Sequence, residues 1–300
     1  MGLGRLLTAT TALGLGTLAY SYVEASRRFV VREFTAPVLP AGHDPIRVLH
    51  LSDIHLTPGQ RAKQEWLESL AALEPDLVVD TGDNLAHRDA VAPLVTSLAG
   101  LLQVPGVFVF GSNDYYSPKL KNPATYLSGG TGVDVGGDWE RPRDLPFEEL
   151  RTVLTHQGWR DLNNARDVLT VNGTRIAFTG VDDPHLRFDR LDHQPADATA
   201  DLRIGVAHAP YLRVLDSFNA AGNELILAGH THGGQLQVPG FGALVTNCDI
   251  DRGRANGLHT HRTPGHDASW LHVSAGCGTS PFTPFRFCCR PEATVLTLTG

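Results

Sequence analysis

Three times in the first 114 residues, an apolar run stops at a short polar signature. Ile46-Arg47-Val48-Leu49-His50-Leu51-Ser52 runs into Asp53-Ile54-His55. Asp76-Leu77-Val78-Val79-Asp80-Thr81 runs into Gly82-Asp83-Asn84, and Gly106-Val107-Phe108-Val109-Phe110 into Gly111-Ser112-Asn113-Asp114. Between them, Arg61 to Leu73 carries Trp66, Leu67, Leu70 and Leu73 at helical spacing, and Ala90 to Leu102 reads as a second helix. Buried strands alternating with helices predict an α/β fold with a mainly parallel sheet and ligands gathered at its carboxyl edge.

The second half changes rhythm. Phe147 to Leu154 reads as helix, and Ser117 to Pro146, rich in glycine, as a long loop over the site edge. Val168 to Val171 and Arg175 to Val181 flank Asn172-Gly173, a hairpin signal that brings antiparallel pairing. That hairpin ends in Asp182-Asp183-Pro184-His185. A strand over 201–206 ends in Ala207-His208-Ala209-Pro210, and a helix follows over 211–221. The apolar run Glu224 to Ala228 then opens into Gly229-His230-Thr231-His232-Gly233-Gly234. In a turn just past a strand end two imidazoles can converge on one point, and the flanking glycines permit the dihedrals such a turn needs. Short strands are expected over 236–238, 243–245, 271–274 and 294–299.

Leu6 to Val23 is 18 residues without a charge, roughly 27 Å as a helix and close to a hydrocarbon thickness. It is expected to be an uncleaved membrane anchor, with an exported form after signal cleavage as the alternative. Basic residues flank both ends, so orientation stays open. The expected organisation is an N-terminal segment over 1–28, an irregular proline-containing linker over 29–45, and one globular domain over 46–300. A net charge of −7 gives no general attraction to nucleic acid, and no basic, aromatic-rich groove is legible. The cysteines, Cys248, Cys277, Cys288 and Cys289, contain no Cys-x-x-Cys pair, which argues against a zinc knuckle. Buried free thiols, or one bridge from Cys277 to Cys288 or Cys289, remain open.

The residues just past strands are Asp53, His55, Asp83, Asn113, His208, His230 and His232. All offer oxygen or nitrogen and none sulfur, a mixture suited to manganese, iron or zinc. Seven ligands exceed the needs of one ion. Two divalent ions about 3.5–4 Å apart, sharing one carboxylate, would use them all.

With these blocks in this order, the chain resembles the calcineurin-like metallophosphoesterase family, in particular its bacterial membrane-associated or exported branch. The resemblance runs over residues 45–299 and rests on Asp53-x-His55, Gly82-Asp83, Gly111-Ser112-Asn113-Asp114, His208 and Gly229-His230-x-His232. It implies a four-layer sandwich, two mixed sheets flanked by helices. It also implies that Asp53, His55 and His232 hold one ion, that His208, His230 and an amide oxygen hold the other, and that Asp83 bridges. One block departs from the pattern, because the family usually has Gly-Asn-His followed by Asp or Glu. A gapless match puts Ser112 on the ligand position. A one-residue shift puts Asn113 there, which its longer, better-coordinating amide oxygen favours. Either way the usual histidine is absent, and Asp114, Asn113 and His185 are the candidates for its role. The implied activity is hydrolysis of a phosphate monoester or diester by water activated at two metal ions, with a lipid- or envelope-linked substrate suggested by the N-terminal segment. A catalytically impaired metal-binding module of the same fold is the alternative.

Overall fold

The computed structural model describes residues 3–119, 142–190 and 195–300. Most of the loop expected over 117–146 therefore lies outside the described residues. Helix α1 (Leu3–Arg27) leads into β1 (Val30–Pro37) and β2 (Ile46–Leu51). Then come α2 (Arg61–Ser69), β3 (Leu77–Asp80), α3 (Val91–Ser97), β4 (Gly106–Phe108), α4 (Ser112–Tyr115), α5 (Phe147–His156) and β5 (Arg160–Asp161). The second half holds β6 (Arg166–Val171), β7 (Thr174–Gly180), β8 (Leu202–Val206), α6 (Leu212–Ala220) and β9 (Leu225–Ala228). It closes with β10 (Gln237–Val238), β11 (Gly242–Ala243), β12 (Gly257–His261), β13 (Ser269–Val273) and β14 (Glu292–Thr299).

Two six-stranded mixed sheets result, in the orders β1-β14-β2-β3-β4-β5 and β12-β13-β9-β8-β7-β6. The period-2 alternation of side chains sorts each strand between two layers. On β2, Ile46 and Val48 face the second sheet while Leu49 and Leu51 face the helices. On β9, Leu225 and Leu227 enter the layer between the sheets and Ile226 packs outward with Val214, Leu215 and Phe218 of α6. On the far side, α2, α3 and α5 cover the first sheet through Leu67, Leu94, Leu150 and Leu154. The four-layer sandwich is as expected, and its first sheet is mainly parallel, with one antiparallel pair. Residues 46–51 and 292–299 run antiparallel, while β2, β3, β4 and β5 are parallel neighbours.

The linker reading needs correction. Residues 30–37 form a full strand, parallel to β14 from Val30↔Glu292 to Pro37↔Thr299. The globular unit therefore begins near residue 30, and only the stretch 38–45 is irregular. Proline is tolerated at Pro37 because β1 is an edge strand. Among the described residues no helix is long and apolar enough to cross a membrane, α1 included. All four cysteines are free, three buried and Cys288 exposed.

The layer between the sheets contains two imidazoles. His50 on β2 and His272 on β13 meet at 2.8 Å between their Nδ1 atoms, and His50 Nε2 lies 3.0 Å from Thr81 Oγ1. One donor direction satisfies the chain: His272 Nδ1–H to His50, His50 Nε2–H to Thr81, and the Thr81 hydroxyl to Leu51 O. It leaves only a bare lone pair on His272 Nε2, which has no partner. Burial holds both rings neutral, taking His50 down to about 3 and His272 well below the ordinary value. An unfolded histidine protonates near 6.5. The stability contributed is thus complete above about pH 6.5 and is lost as pH falls toward about 3, because the unfolded chain takes up protons the native state refuses. Urea unfolding from about pH 7 to about pH 4 is expected to show a falling midpoint, and a shallower fall in His272→Gln.

Candidate metal centre

Five strand ends, three from one sheet and two from the other, deliver the predicted ligands to one place. Asp53 follows β2, Asp83 follows β3, Asn113 follows β4, His208 follows β8 and His230 follows β9. The backbone turns sharply on leaving each strand. Asp53, His55, Asp83, His230 and His232 all have positive φ, between 45° and 69°. Such left-handed conformations in non-glycine residues cluster at functional sites, where surrounding structure over-determines them. Glycine is needed where chains approach closely. A Cβ on Gly111 would sit 2.3 Å from Asp83 Oδ1, and one on Gly229 would sit 1.8 Å from Ser52 Oγ.

Asp83 stands between the two sheets' imidazoles. Its Oδ2 is 3.5 Å from His55 Nε2 and its Oδ1 is 3.5 Å from His208 Nε2. Asp53 Oδ1 is 3.6 Å from His232 Nε2. Two groups of donor atoms lie within 4.8 Å of one another: Asp53, His55 and His232, and Asp53, Asp83 and His208. Asp53 belongs to both groups, whereas Asp83 is the carboxylate with an imidazole at each oxygen. His230 Nδ1 comes within 3.3 Å of His208 Nε2. The Asn113 side-chain amide, not the Ser112 hydroxyl, meets Asp83, donating from Nδ2 to Oδ2 at 2.7 Å.

Three of the four rings are fixed from behind, as ligating histidines usually are, while His55 Nδ1 is buried without a partner. His208 Nδ1 donates to Thr81 O at 2.8 Å, His232 Nδ1 to Gly278 O at 3.1 Å, and His230 Nε2 to Asn247 O at 3.1 Å. These bonds leave the opposite nitrogens of His230 and His232 as lone pairs aimed inward. His208 Nε2 faces His230 Nδ1 at 3.3 Å, and His55 Nε2 meets His232 Nε2 at the same distance. Asp53 Oδ1 is buried with no partner. Inward nitrogens and carboxylate oxygens gathered this closely favour positive charge among them, so the donor set fits divalent cations. The titration shifts show that pull most strongly at His208. Burial and the neighbouring Asp83 compete over His55, and burial wins, taking it to about 3. Burial also opposes charge on His208, yet Asp83, Asp53 and Asp183 outweigh it and raise that ring to about 9. Burial works to raise Asp53, but His232, His208 and His55 hold it below the ordinary carboxylate range.

Of the candidates for the absent histidine, Asp114 requires correction. It is fully buried, and its carboxylate faces backbone: Oδ2 accepts from Asp83 N and Gly111 N, and Oδ1 from Asn84 N. Both oxygens are committed to three amides, so this side chain straps two turns together instead of meeting a substrate. Asn113 lies against Asp83. His185 reaches the cluster from outside the motifs, its ring centroid 4.7 Å from that of His230 and its Nδ1 3.0 Å from Tyr211 Oη.

Three contributors carried no readable signal. Lys63, buried, donates from Nζ to Ile54 O at 2.7 Å and braces the turn bearing His55. Arg286, also buried, donates from Nη2 to Ala275 O and Gly278 O, both at 2.6 Å, and so holds the carbonyl that orients His232. Asp183 is wholly buried with Oδ2 unpartnered, and burial raises it to about 8.

Two facing mixed sheets with a carboxylate–imidazole cluster at their strand ends define the class, a metal-dependent phosphoesterase. The chain belongs to the calcineurin-like phosphoesterase family, whose model matches residues 46–234. It is similar to "Uncharacterized protein YpbG" of Bacillus subtilis (strain 168), 27% identical over 263 residues, which are 86% of this chain and 83% of that protein. It is similar also to "Uncharacterized metallophosphoesterase YkuE" of the same strain, 25% identical over 273 residues, 87% of this chain and 82% of that one. Among solved structures, a dimetal phosphatase from Danio rerio aligns with TM-score 0.40 at 12% identity, over 85% of this chain and 99% of that one.

Asp114→Ala strips the acceptors from three buried amides. It is expected to lower unfolding free energy by roughly 2–4 kcal/mol, measured by urea unfolding. An unchanged midpoint with lost activity would instead restore Asp114 to a chemical role.

Proposed function

We propose that the chain hydrolyses phosphate esters at two divalent cations, with manganese, iron and zinc as the ions its nitrogen and oxygen donors suit. Asp53, His55 and His232 would hold one and His208, His230 and Asn113 the other, with Asp83 shared. Asn113 would serve through Oδ1, a half-turn of its amide from the orientation described. When bound, the cations supply Lewis acidity toward phosphoryl oxygens and lower the pKa of water. The observation that carries the reading is Asp83, with an imidazole nitrogen 3.5 Å from each carboxylate oxygen.

The chain's own groups would do the rest. The backbone acceptors behind His208, His230 and His232 hold each ring in the tautomer that presents a lone pair inward. Asp53 Oδ2, accepting from Ser52 Oγ and His230 N, is anchored so that Oδ1 stays directed at the cluster. His185 takes the proton-handling role. In its imidazolium form Nδ1–H would donate to Tyr211 Oη and Nε2–H would deliver its proton to a leaving oxygen, leaving the ring neutral. The substrate is a monoester or diester presented at a membrane, with α1 as the attachment.

Asp83→Ala is expected to abolish turnover of a chromogenic phosphodiester, by about 10³-fold or more, and to reduce bound metal in elemental analysis. Full activity in that variant would sink the proposal. Metal retained by the parent chain without turnover of any monoester, diester or pyrophosphate would favour the binding module.

His185→Gln is expected to keep metal content and to lower kcat by about 10²–10⁴, least for esters with good leaving groups. An equal loss across leaving groups would assign His185 to packing alone.

A further inference from the structure

Eleven large hydrophobic side chains are exposed among the described residues, and all belong to three stretches. Six lie on α1 between Leu13 and Val23; Leu236, Val238, Phe241 and Leu244 lie in or beside the β10–β11 hairpin; Phe282 is the last. Scattered single residues of this kind need no explanation, but a connected set does. These stretches are connected. The Tyr20 ring meets Phe287 edge-on at 5.6 Å, Arg286 N donates to Ser21 O, and Glu24 Oε1 accepts from Cys289 N. On the other side of the same segment, Gln237 N donates to Phe287 O, and Gln235 Nε2 donates to Thr283 O and Phe285 O. Residues 282–289 are thus a seam joining helix to hairpin.

Two features select lipid over protein as the occupant. First, every residue from Thr10 to Tyr20 is exposed, and none is charged. A protein partner would cover one helix face, whereas acyl chains and headgroups can surround a helix that is uncharged on all sides. Secondly, arginines ride on the aromatic members of the patch. The Arg252 guanidinium lies 4.7 Å from the Phe241 ring centre, and that of Arg28, ion-paired with Glu24 at 3.6 Å, lies 5.7 Å from Tyr20. On a chain of net charge −7, cations at an apolar rim run against the overall balance and match anionic headgroups.

The active-site turn feeds this surface directly. His232 and Leu236 are four residues apart, at most about 14 Å of extended chain. We infer that α1 and the β10–β11 hairpin seat together in the interface of a bilayer bearing anionic headgroups, with the metal-ligand cluster opening beside that surface. The hairpin is then a second attachment, independent of the helix. The inference does not rest on hydrolysis, since bilayer binding is read without turnover.

The full chain is to be co-sedimented with vesicles of phosphatidylcholine alone and of phosphatidylcholine with phosphatidylglycerol. Expected is stronger binding to the anionic vesicles, weakened by salt. Val238→Ser combined with Phe241→Ser is expected to weaken it at least about tenfold, with the unfolding midpoint unchanged. Arg252→Gln is expected to weaken the anionic arm alone. Phe241→Trp should shift its emission to the blue when anionic vesicles are added. Absence of binding to either vesicle, or hairpin variants that bind as the parent does, would overturn the inference. So would a dimer in sedimentation velocity that dissociates in the same variants, which would give the patch to a second copy of the chain.

Discussion

The Asp114 carboxylate, closed over three backbone amides, fixes the turns on which the site depends. By accepting from Asp83 N and Asn84 N after β3 and from Gly111 N after β4, it ties together two neighbouring strand ends. Asp83 can then direct its carboxylate away from its own sheet. Asn113 N and Nδ2, each 2.7 Å from one Asp83 oxygen, set the roll of that carboxylate. A second strap crosses between the sheets, where Asp53 Oδ2 accepts from His230 N at 2.9 Å. Carboxyl oxygens accepting from backbone amides make directional bonds, although burial and the neighbouring Asp83 push the Asp114 carboxyl well above the ordinary range. These two straps supply the over-determination that five left-handed residues in one cluster require.

Rigidity at this place has an electrostatic consequence. A flexible cluster of imidazoles and carboxylates would rearrange to pair donors with acceptors. Here His208, His232 and His230 each place one N–H behind the ring, on Thr81 O, Gly278 O and Asn247 O. Their other nitrogens are thereby held facing the carboxylates, where a cation is favoured. The same logic extends outward. Arg286 and Lys63 are buried basic side chains near the cluster, Lys63 brought down to about 7 by burial, and both direct protons to main-chain carbonyls and none to Asp53 or Asp83. Paired directly with those carboxylates, they would have neutralised the charge a metal needs.

Much of this could be read in the sequence because the information was local. The apolar runs of β2, β3 and β9 and the polar residues two to five positions past the strand ends are visible within a dozen residues each. All seven ligand candidates come to one cluster for that reason. What escaped was decided by distant partners. Strand β1 carries Pro37 and pairs with a strand some 260 residues away, so its own composition resembled a linker. Arg286 acts on carbonyls of 275–278, which no side-chain pattern announces. Asp114 was placed in the right neighbourhood with the wrong duty. A motif gives the position of a carboxylate along the chain, but not whether the oxygens turn to substrate or to backbone.

The chain must reconcile a dense polar cluster with an apolar rim a few residues away. The backbone from His232 onward does so in stages. Thr231 Oγ1 accepts from Gly233 N, Gln235 Nε2 binds two carbonyls of the 283–285 segment, and Gln237 Nε2 donates to Gly233 O. These side chains satisfy the turn's polar groups internally, so the hairpin beyond can be apolar without stranding unpaired donors at its root. Had those amides needed water, apolar residues at 238 and 241 would sit beside a wet, unsatisfied backbone, and burying them in lipid would carry the desolvation penalty of every such group. Glutamine at positions 235 and 237 therefore decouples the two environments. It lets a dense polar cluster and an apolar rim share one short stretch of chain.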